Sequence, residues 1–277
     1  MLRDAWRRFC RNRAGLLGLL AIAALLIVAV LAPALASRDP FRISSQAFLS
    51  PGGGAFLGTD NLGRDVWSGV LYGARVSLAV GCFAALTSTL IGIMVGGVAG
   101  FYGGKLDAIL MRGTELFQTI PQFFLALVII ALAGPGLGKV ILVIGILGWP
   151  LTARLVRAQF LSLKAREFVE AARALGVGDP RMIVRVILPN ALPPVIVTAS
   201  LEIAHAILLE AGLSFFGLGD PNFMSWGMML NNAQGFLRRA WWMSVFPGTG
   251  IFIAVLGFNL FGDALNDALN PRLRQRT

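Results

Sequence analysis

The sequence predicts an all-α, polytopic membrane protein with six spanning helices, and three observations carry that prediction. Of 277 residues, 56% are hydrophobic and only 14% are charged, whereas soluble domains carry roughly 25% charged residues. Six apolar runs approach or exceed the roughly 20 residues that cross a bilayer. The basic residues cluster between those runs in a way that gives the chain an inside and an outside. A chain this poor in charge cannot cover a water-soluble globule, which excludes a cytosolic enzyme, a disordered protein and a secreted disulfide scaffold. Lys and Arg number 24 against 14 Asp and Glu, a net charge of +10. In a soluble protein that excess points to nucleic acid. In a membrane protein it orients the chain and meets anionic lipid, so we expect membrane lipid and no nucleic acid among its partners. Cys10 lies in a basic stretch and Cys82 in an apolar run; we expect neither a disulfide nor a metal site from two such thiols.

The spans are expected at residues 14–36, 76–101, 114–133, 139–160, 191–213 and 244–261. The first is longer than the roughly 7–15 residues of a signal-peptide core, so it reads as a retained anchor helix. Six spans leave both termini on one side. That side holds Arg3, Arg7, Arg8, Arg11, Arg13, Lys105 and Arg112, the arginines and lysine from Arg154 to Arg185, and Arg272, Arg274 and Arg276. It carries most of the basic residues and is therefore expected to be cytoplasmic. The implied order is a cytoplasmic tail (1–13), an anchor helix (14–36), an outer segment (37–75) and a five-span core (76–266) ending in a cytoplasmic tail (267–277). Within the core lie a cytoplasmic loop (161–190) and an outer loop (214–243).

Smaller features refine the helices. Trp226, Trp241 and Trp242 flank spans five and six on the outer side, where an aromatic belt is expected. Gly92, Gly96, Gly100 and Gly104 recur every four residues and make one stripe on which another backbone can approach. Pro121 and Pro150 fall in or near spans, where a kink needs partners for the freed carbonyls. Pro193 and Pro194 sit at the start of span five, where proline is tolerated.

The loop from 161 to 190 carries the most information. Phe168, Ala172 and Leu175 form an i, i+4, i+7 apolar stripe on a short helix, and Gly176 stands where a C-terminal cap belongs. Asp179-Pro180 reads as N-cap and first residue of a second helix, ended by Pro189. Such a helix can lie on the membrane or dock in a groove on a cytoplasmic partner.

These residues resemble a known family. Glu170-Ala171-Ala172, Gly176 and Ile187-Leu188-Pro189 are similar to the EAA loop of ABC importer permeases. Leu57-Gly58-Thr59-Asp60 with Gly63-Arg64-Asp65 resembles the periplasmic signature of the dipeptide, oligopeptide and nickel permeases. So do Leu213 to Gly219, Ser225-Trp226-Gly227, Asn259 to Asp263 and Asp267 to Arg272, with Asn270 where that family usually has Asp. The pattern is that of the C-type permease subunit. The resemblance implies a type I ABC importer (MetI-like) permease core in a bacterial or archaeal plasma (inner) membrane. It implies a homologous second permease, two cytoplasmic ATPase subunits and a periplasmic or lipid-anchored substrate-binding protein. It implies that Phe168, Glu170, Ala171, Ala172, Arg173, Leu175 and Gly176 couple the spans to the ATPases. The cargo it implies is a dipeptide or oligopeptide, with nickel or another small solute as the alternative.

The chain itself is not expected to hydrolyse ATP. A phosphate-binding loop needs G-x-x-x-x-G-K-[ST], and Gly138-Lys139-Val140 and Gly104-Lys105-Leu106 both fail it. ATP and Mg would act through partner subunits, and no cofactor, metal or catalytic residue is expected in this chain. An intramembrane serine protease is excluded by geometry: His205 and Ser214 on one helix lie about 13 Å apart along the axis, against the roughly 3 Å a general base requires. A gradient-driven secondary transporter would show inverted repeats with broken helices, and none is evident.

Span five carries Glu202, His205 and Glu210. Intramembrane ionisable groups face the protein interior or a water-filled cavity. One reading makes these three a translocation pathway of negative character, suited to a peptide's amine or a metal cation. The other pairs them with the partner permease or with backbone. The outer segment Gly58, Thr59, Asp60, Gly63, Arg64 and Asp65 likewise reads either as a packing loop or as a contact for the substrate-binding protein.

Overall fold

The computed structural model describes residues 2–269. Among them five helices are long and apolar enough to span a membrane, and a bent pair of helices makes a sixth candidate. α1 (Leu2–Arg11) makes the expected N-terminal tail helical, and Phe9 packs its ring against Phe261 at 5.5 Å. α2 (Arg13–Leu35) is the anchor, started by the Asn12 side chain accepting from Gly15 N–H. α3 (Val66–Tyr102) has 37 residues, ten more at its N-terminal end than the span expected from 76. At 1.5 Å per residue it is about 55 Å long, well beyond a hydrocarbon core of about 30 Å. Its first turns therefore belong to an outer lobe.

The expected third span is not one helix. α4 (Gly104–Thr119) and α5 (Gln122–Ala133) meet at 81° across Ile120 and Pro121. Proline removes an N–H and its ring clashes with the preceding turn, so the helix stops there. α6 (Leu137–Lys164) follows, then the short helix α7 (Glu167–Ala174). The short turn α8 (Asp179–Arg181) passes through a π-helical stretch, Met182–Ile187, into α9 (Leu188–Phe215). Two expectations change here. Gly178, not Asp179, is the N-cap, and Pro189 does not end the helix but sits in the first turn of α9. The reason is local. An α-helical Pro189 would press its ring on the Arg185 carbonyl; the chain instead widens, with Leu188 N–H donating to Ile183 five residues back. α10 (Trp226–Ala233) and α11 (Trp242–Leu269) complete the described chain. The remainder of the expected C-terminal tail, Asn270 to Thr277 with Arg272, Arg274 and Arg276, lies outside the described residues.

α3 and α6 form the central pair, with α9 laid across both and α11 and α2 behind. The glycine stripe explains the α3–α6 contact. A methyl at Gly92 would lie 2.6 Å from Thr152 Cβ, and one at Gly100 would lie 2.8 Å from the Arg157 carbonyl oxygen. Gly96 meets Ala153 in the same way. Gly104 departs from the stripe: it opens α4 at φ +57 with open space around it.

The tryptophans also differ from expectation. Trp226 and Trp242 are buried, at 1% and 6% exposure, and only Trp241 faces outward. Trp226 Nε1 donates to the Val70 carbonyl and Trp242 Nε1 to the Thr59 carbonyl, both at 3.0 Å. They are the core of the outer lobe rather than a belt at the lipid interface, because their indole N–H groups find protein acceptors.

Candidate translocation cavity and coupling helix

The short helix α7 is assembled from its sequence in a simple way. Glu167 and Glu170 lie in the first turn and Arg173 in the last, each complementing the helix dipole. Gly176 adopts φ +78 and closes the helix: Val177 N–H donates to the Ala172 carbonyl and Gly176 N–H to the Arg173 carbonyl. That double bond is a Schellman cap, and its left-handed residue is best supplied by glycine. Val169 is fully buried against a cluster with Phe160, Met182 and Ile187, and Ala172 is half-buried beside it. Phe168 and Leu175 point the other way and stand exposed, at 43% and 86%. One side of α7 is thus packed on the end of α6 and on the π-helical stretch, while Phe168 and the C-cap residue Leu175 have no cover among the described residues; the expected stripe is split, because Ala172 joins the packed side.

The root of α7 is stiffened by a bond between spans. Arg157 on α6 grips Asp107 on α4 with two N–H groups, Nη2 to Oδ2 at 2.6 Å and Nε to Oδ1 alongside. A forked guanidinium–carboxylate pair fixes geometry as well as charge. Lys164 Nζ donates to the Phe101 carbonyl at the end of α3. Neither bond is visible in sequence as a motif.

The three ionisable groups of span five separate. Glu202 and His205 line one cavity of about 570 Å³, which lies between α9, α6 and the break of α4 and α5. That volume is within the roughly 300–1,000 Å³ of small-ligand sites. Glu202 is 8% exposed and sits 14 residues from the start of α9 and 13 from its end, so it lies about 20 Å from each. His205 Nε2 is 3.1 Å from Gln122 Oε1, the first residue after the break. Glu210 is elsewhere. It is 2% exposed, and its carboxylate accepts from Ser77 at 3.1 Å and Ser214 at 2.7 Å. The Ser77 bond ties α9 to α3, the Ser214 bond lies within α9, and Glu210 does not line the cavity that holds Glu202 and His205. The reason is spacing: eight residues rotate it about 80° from Glu202.

Sequence reading missed Gln118, Gln122 and Thr198, which line the same cavity. Two glutamines flanking an intramembrane proline were the available signal. Backbone irregularity at membrane depth is tolerated where it lines a water-filled space, and Ile120 and Pro121 do line it.

The outer segment is occupied with its own chain. Thr59 Oγ1 donates to the Gln46 carbonyl at 2.6 Å and accepts from Leu49 N–H at 2.9 Å. Asp60 accepts from the N–H groups of Leu62 and Arg64, both at 2.8 Å, with the Arg64 side chain 3.8 Å away. Asp65 caps α3 by accepting from Ser68 N–H at 2.9 Å. Gly58 and Gly63 hold φ of +81 and +72, and a side chain on Gly58 would strike Trp242. The side chains of Thr59, Asp60 and Asp65 are thus bonded within this chain, whereas Arg64 Nε is buried without a hydrogen-bond partner among the described residues.

Residues 88–275 match the family described as the binding-protein-dependent transport system inner membrane component. The chain belongs to that family. Residues 1–51 also match the N-terminal TM domain of oligopeptide transport permease C. The dipeptide transport system permease protein DppC of Bacillus subtilis is 41% identical over 99% of this chain and 86% of that protein. The di/tripeptide transport system permease protein DppC of Pseudomonas aeruginosa is 38% identical over 99% of this chain and 93% of that protein. Among solved structures, a chain of the MetNI methionine ABC transporter in inward-facing conformations superposes with a TM-score of 0.60. It covers 73% of this chain and 96% of its own at 20% identity. The chain is thus a multi-pass inner-membrane permease with the type I ABC importer fold, a component of a larger transport system.

Proposed function

We propose that this permease moves short peptides into the cell, building half of the pathway with a homologous second permease. A substrate-binding protein delivers the cargo on the outer side, and two cytoplasmic ATPase subunits supply ATP and Mg. Both termini are cytoplasmic, and nucleotide is bound by the partners rather than by this chain. The observation that carries the reading is the mid-span cavity: a helix break, three amide or hydroxyl side chains and Glu202 open on one space. The peptide relatives supply the class of cargo.

The exposed face of α7 supplies the coupling. Phe168 and Leu175 seat on an ATPase, while Val169 and the Schellman cap hold α7 rigidly to α6 and α9. Movement of the ATPases is then delivered to the helices that line the cavity. Nucleotide shifts the inward and outward states only by its differential binding to them, and α7 is the lever that makes those states differ at the ATPase.

The test is a mild-detergent pull-down of the tagged chain from its native membrane with mass spectrometry, followed by dipeptide uptake in reconstituted vesicles. Recovery of a second permease and ATPases, with ATP-dependent uptake, is expected. Recovery of the chain alone with gradient-driven uptake would overturn the proposal.

A further inference from the structure

Resting on the peptide reading above, we propose that the Glu202 carboxylate is the point in the cavity that receives a cargo's ammonium group, and that it biases this permease toward cationic over anionic peptides.

The argument begins with what Glu202 lacks. Among the described residues its carboxylate has no hydrogen-bond or ion-pair partner, although the side chain is more than nine-tenths buried. Its oxygen stands near Gly148: a methyl there would be 3.4 Å from Glu202 Oε2 and 2.9 Å from Ser88 Oγ. Glycine at 148 thus leaves the carboxylate room on the α6 side. Glu210, on the same helix, is the internal control, because two hydroxyls satisfy it.

The Glu202 oxygens are not among the atoms sealed from solvent, so the carboxylate looks into the cavity, and mid-span charges are kept where they serve a pathway. Among the described residues no Lys or Arg lines the cavity, and the one basic side chain there is His205, engaged with Gln122. The space therefore offers one acidic group and no fixed cation. An ammonium carries three N–H donors and no acceptor, which is the complement of that lining. Ser88 Oγ and Gln122 Nε2 are themselves buried without a partner, so the surroundings hold further polar capacity that this chain leaves unused.

The test uses the whole transporter with its binding protein in proteoliposomes. Uptake of Ala-Lys and Ala-Glu is measured at saturating loaded binding protein for wild type, Glu202→Gln and Glu202→Asp. Maximal uptake of Ala-Lys is expected to fall about tenfold in Glu202→Gln, the scale of one charged hydrogen bond. Uptake of Ala-Glu should fall less, because repulsion of its side chain is removed at the same time. Glu202→Asp should restore most of the preference. A purely structural role would lower both dipeptides alike, and an unchanged ratio overturns the inference. Failure of Glu202→Gln to co-purify with the second permease would assign the carboxylate to assembly and overturn it as well. A wild-type complex that moves neither dipeptide removes the peptide reading itself, and this inference with it.

Discussion

In the segment before α3, Thr59, Asp60 and Asp65 accept from the chain's own N–H groups, and the Thr59 hydroxyl donates to the Gln46 carbonyl. At the short helix α7, Phe168 and Leu175 offer large apolar surfaces that nothing among the described residues covers. Both regions look like motifs, and the difference lies in which residues are already paired. Where polar side chains are bonded internally, the motif describes a fold. Where apolar side chains project while a neighbour such as Val169 is fully buried, the proposed function makes the motif a surface for another molecule.

The contrast can be broken most sharply at Asp60. Asp60→Ala leaves two backbone N–H groups without acceptors, a cost of about 3 kcal/mol. The purified complex should lose several degrees of thermal midpoint while uptake per folded molecule is retained. A normal midpoint with lost uptake would make the outer segment a contact surface after all. Phe168→Ala should behave in the opposite way. Its thermal midpoint should match wild type, and ATP-driven uptake should fall about tenfold, as for an anchor residue at an interface. A stability loss without an uptake defect would place Phe168 in the fold instead.

Two smaller effects sharpen the same contrast. Gly176→Val forces a β-branched residue to φ +78, at a cost of about 1–3 kcal/mol. Membrane insertion should persist while ATPase stimulation by loaded binding protein weakens; unchanged stimulation and uptake would show that the cap is not required for coupling. The smallest effect is expected at Asp220 in the outer loop. Burial alone would raise its pKa, but the N–H groups of Asn222 and Leu137 and the Asn222 side chain outweigh it and hold the carboxyl below 3.8. A carboxylate lowered by folding stabilises above its unfolded pKa and loses that contribution as pH falls through the folded value. The thermal midpoint should therefore drop more steeply below about pH 4 in wild type than in Asp220→Asn. Parallel acid curves would remove this bond from the account.

Much of the fold was legible in sequence, for physical reasons that differ by element. Long apolar runs announce spans because lipid tolerates little else. Gly92, Gly96 and Gly100 announced a close helix contact because a side chain there would collide with α6. Pro189 misled, because a π turn can absorb a proline that an α turn cannot. Trp226 and Trp242 misled because position in sequence does not reveal whether an indole N–H finds a protein acceptor. The site was legible in part. Span five was visibly unusual, but whether Glu202 or Glu210 was satisfied depended on Ser77, which is far away in sequence and adjacent only after folding. The glutamines beside Pro121 carried a signal that becomes meaningful once the break places them on the cavity.

The central claim is that α7 presents one face to this chain and the other to an ATPase. A photo-crosslinking amino acid placed at position 168 or at position 169 in cells tests it directly. The account predicts that the exposed position 168 captures an ATP-binding subunit and the buried position 169 captures only this chain. Capture of lipid alone at 168, or of the ATPase equally at both positions, would contradict it.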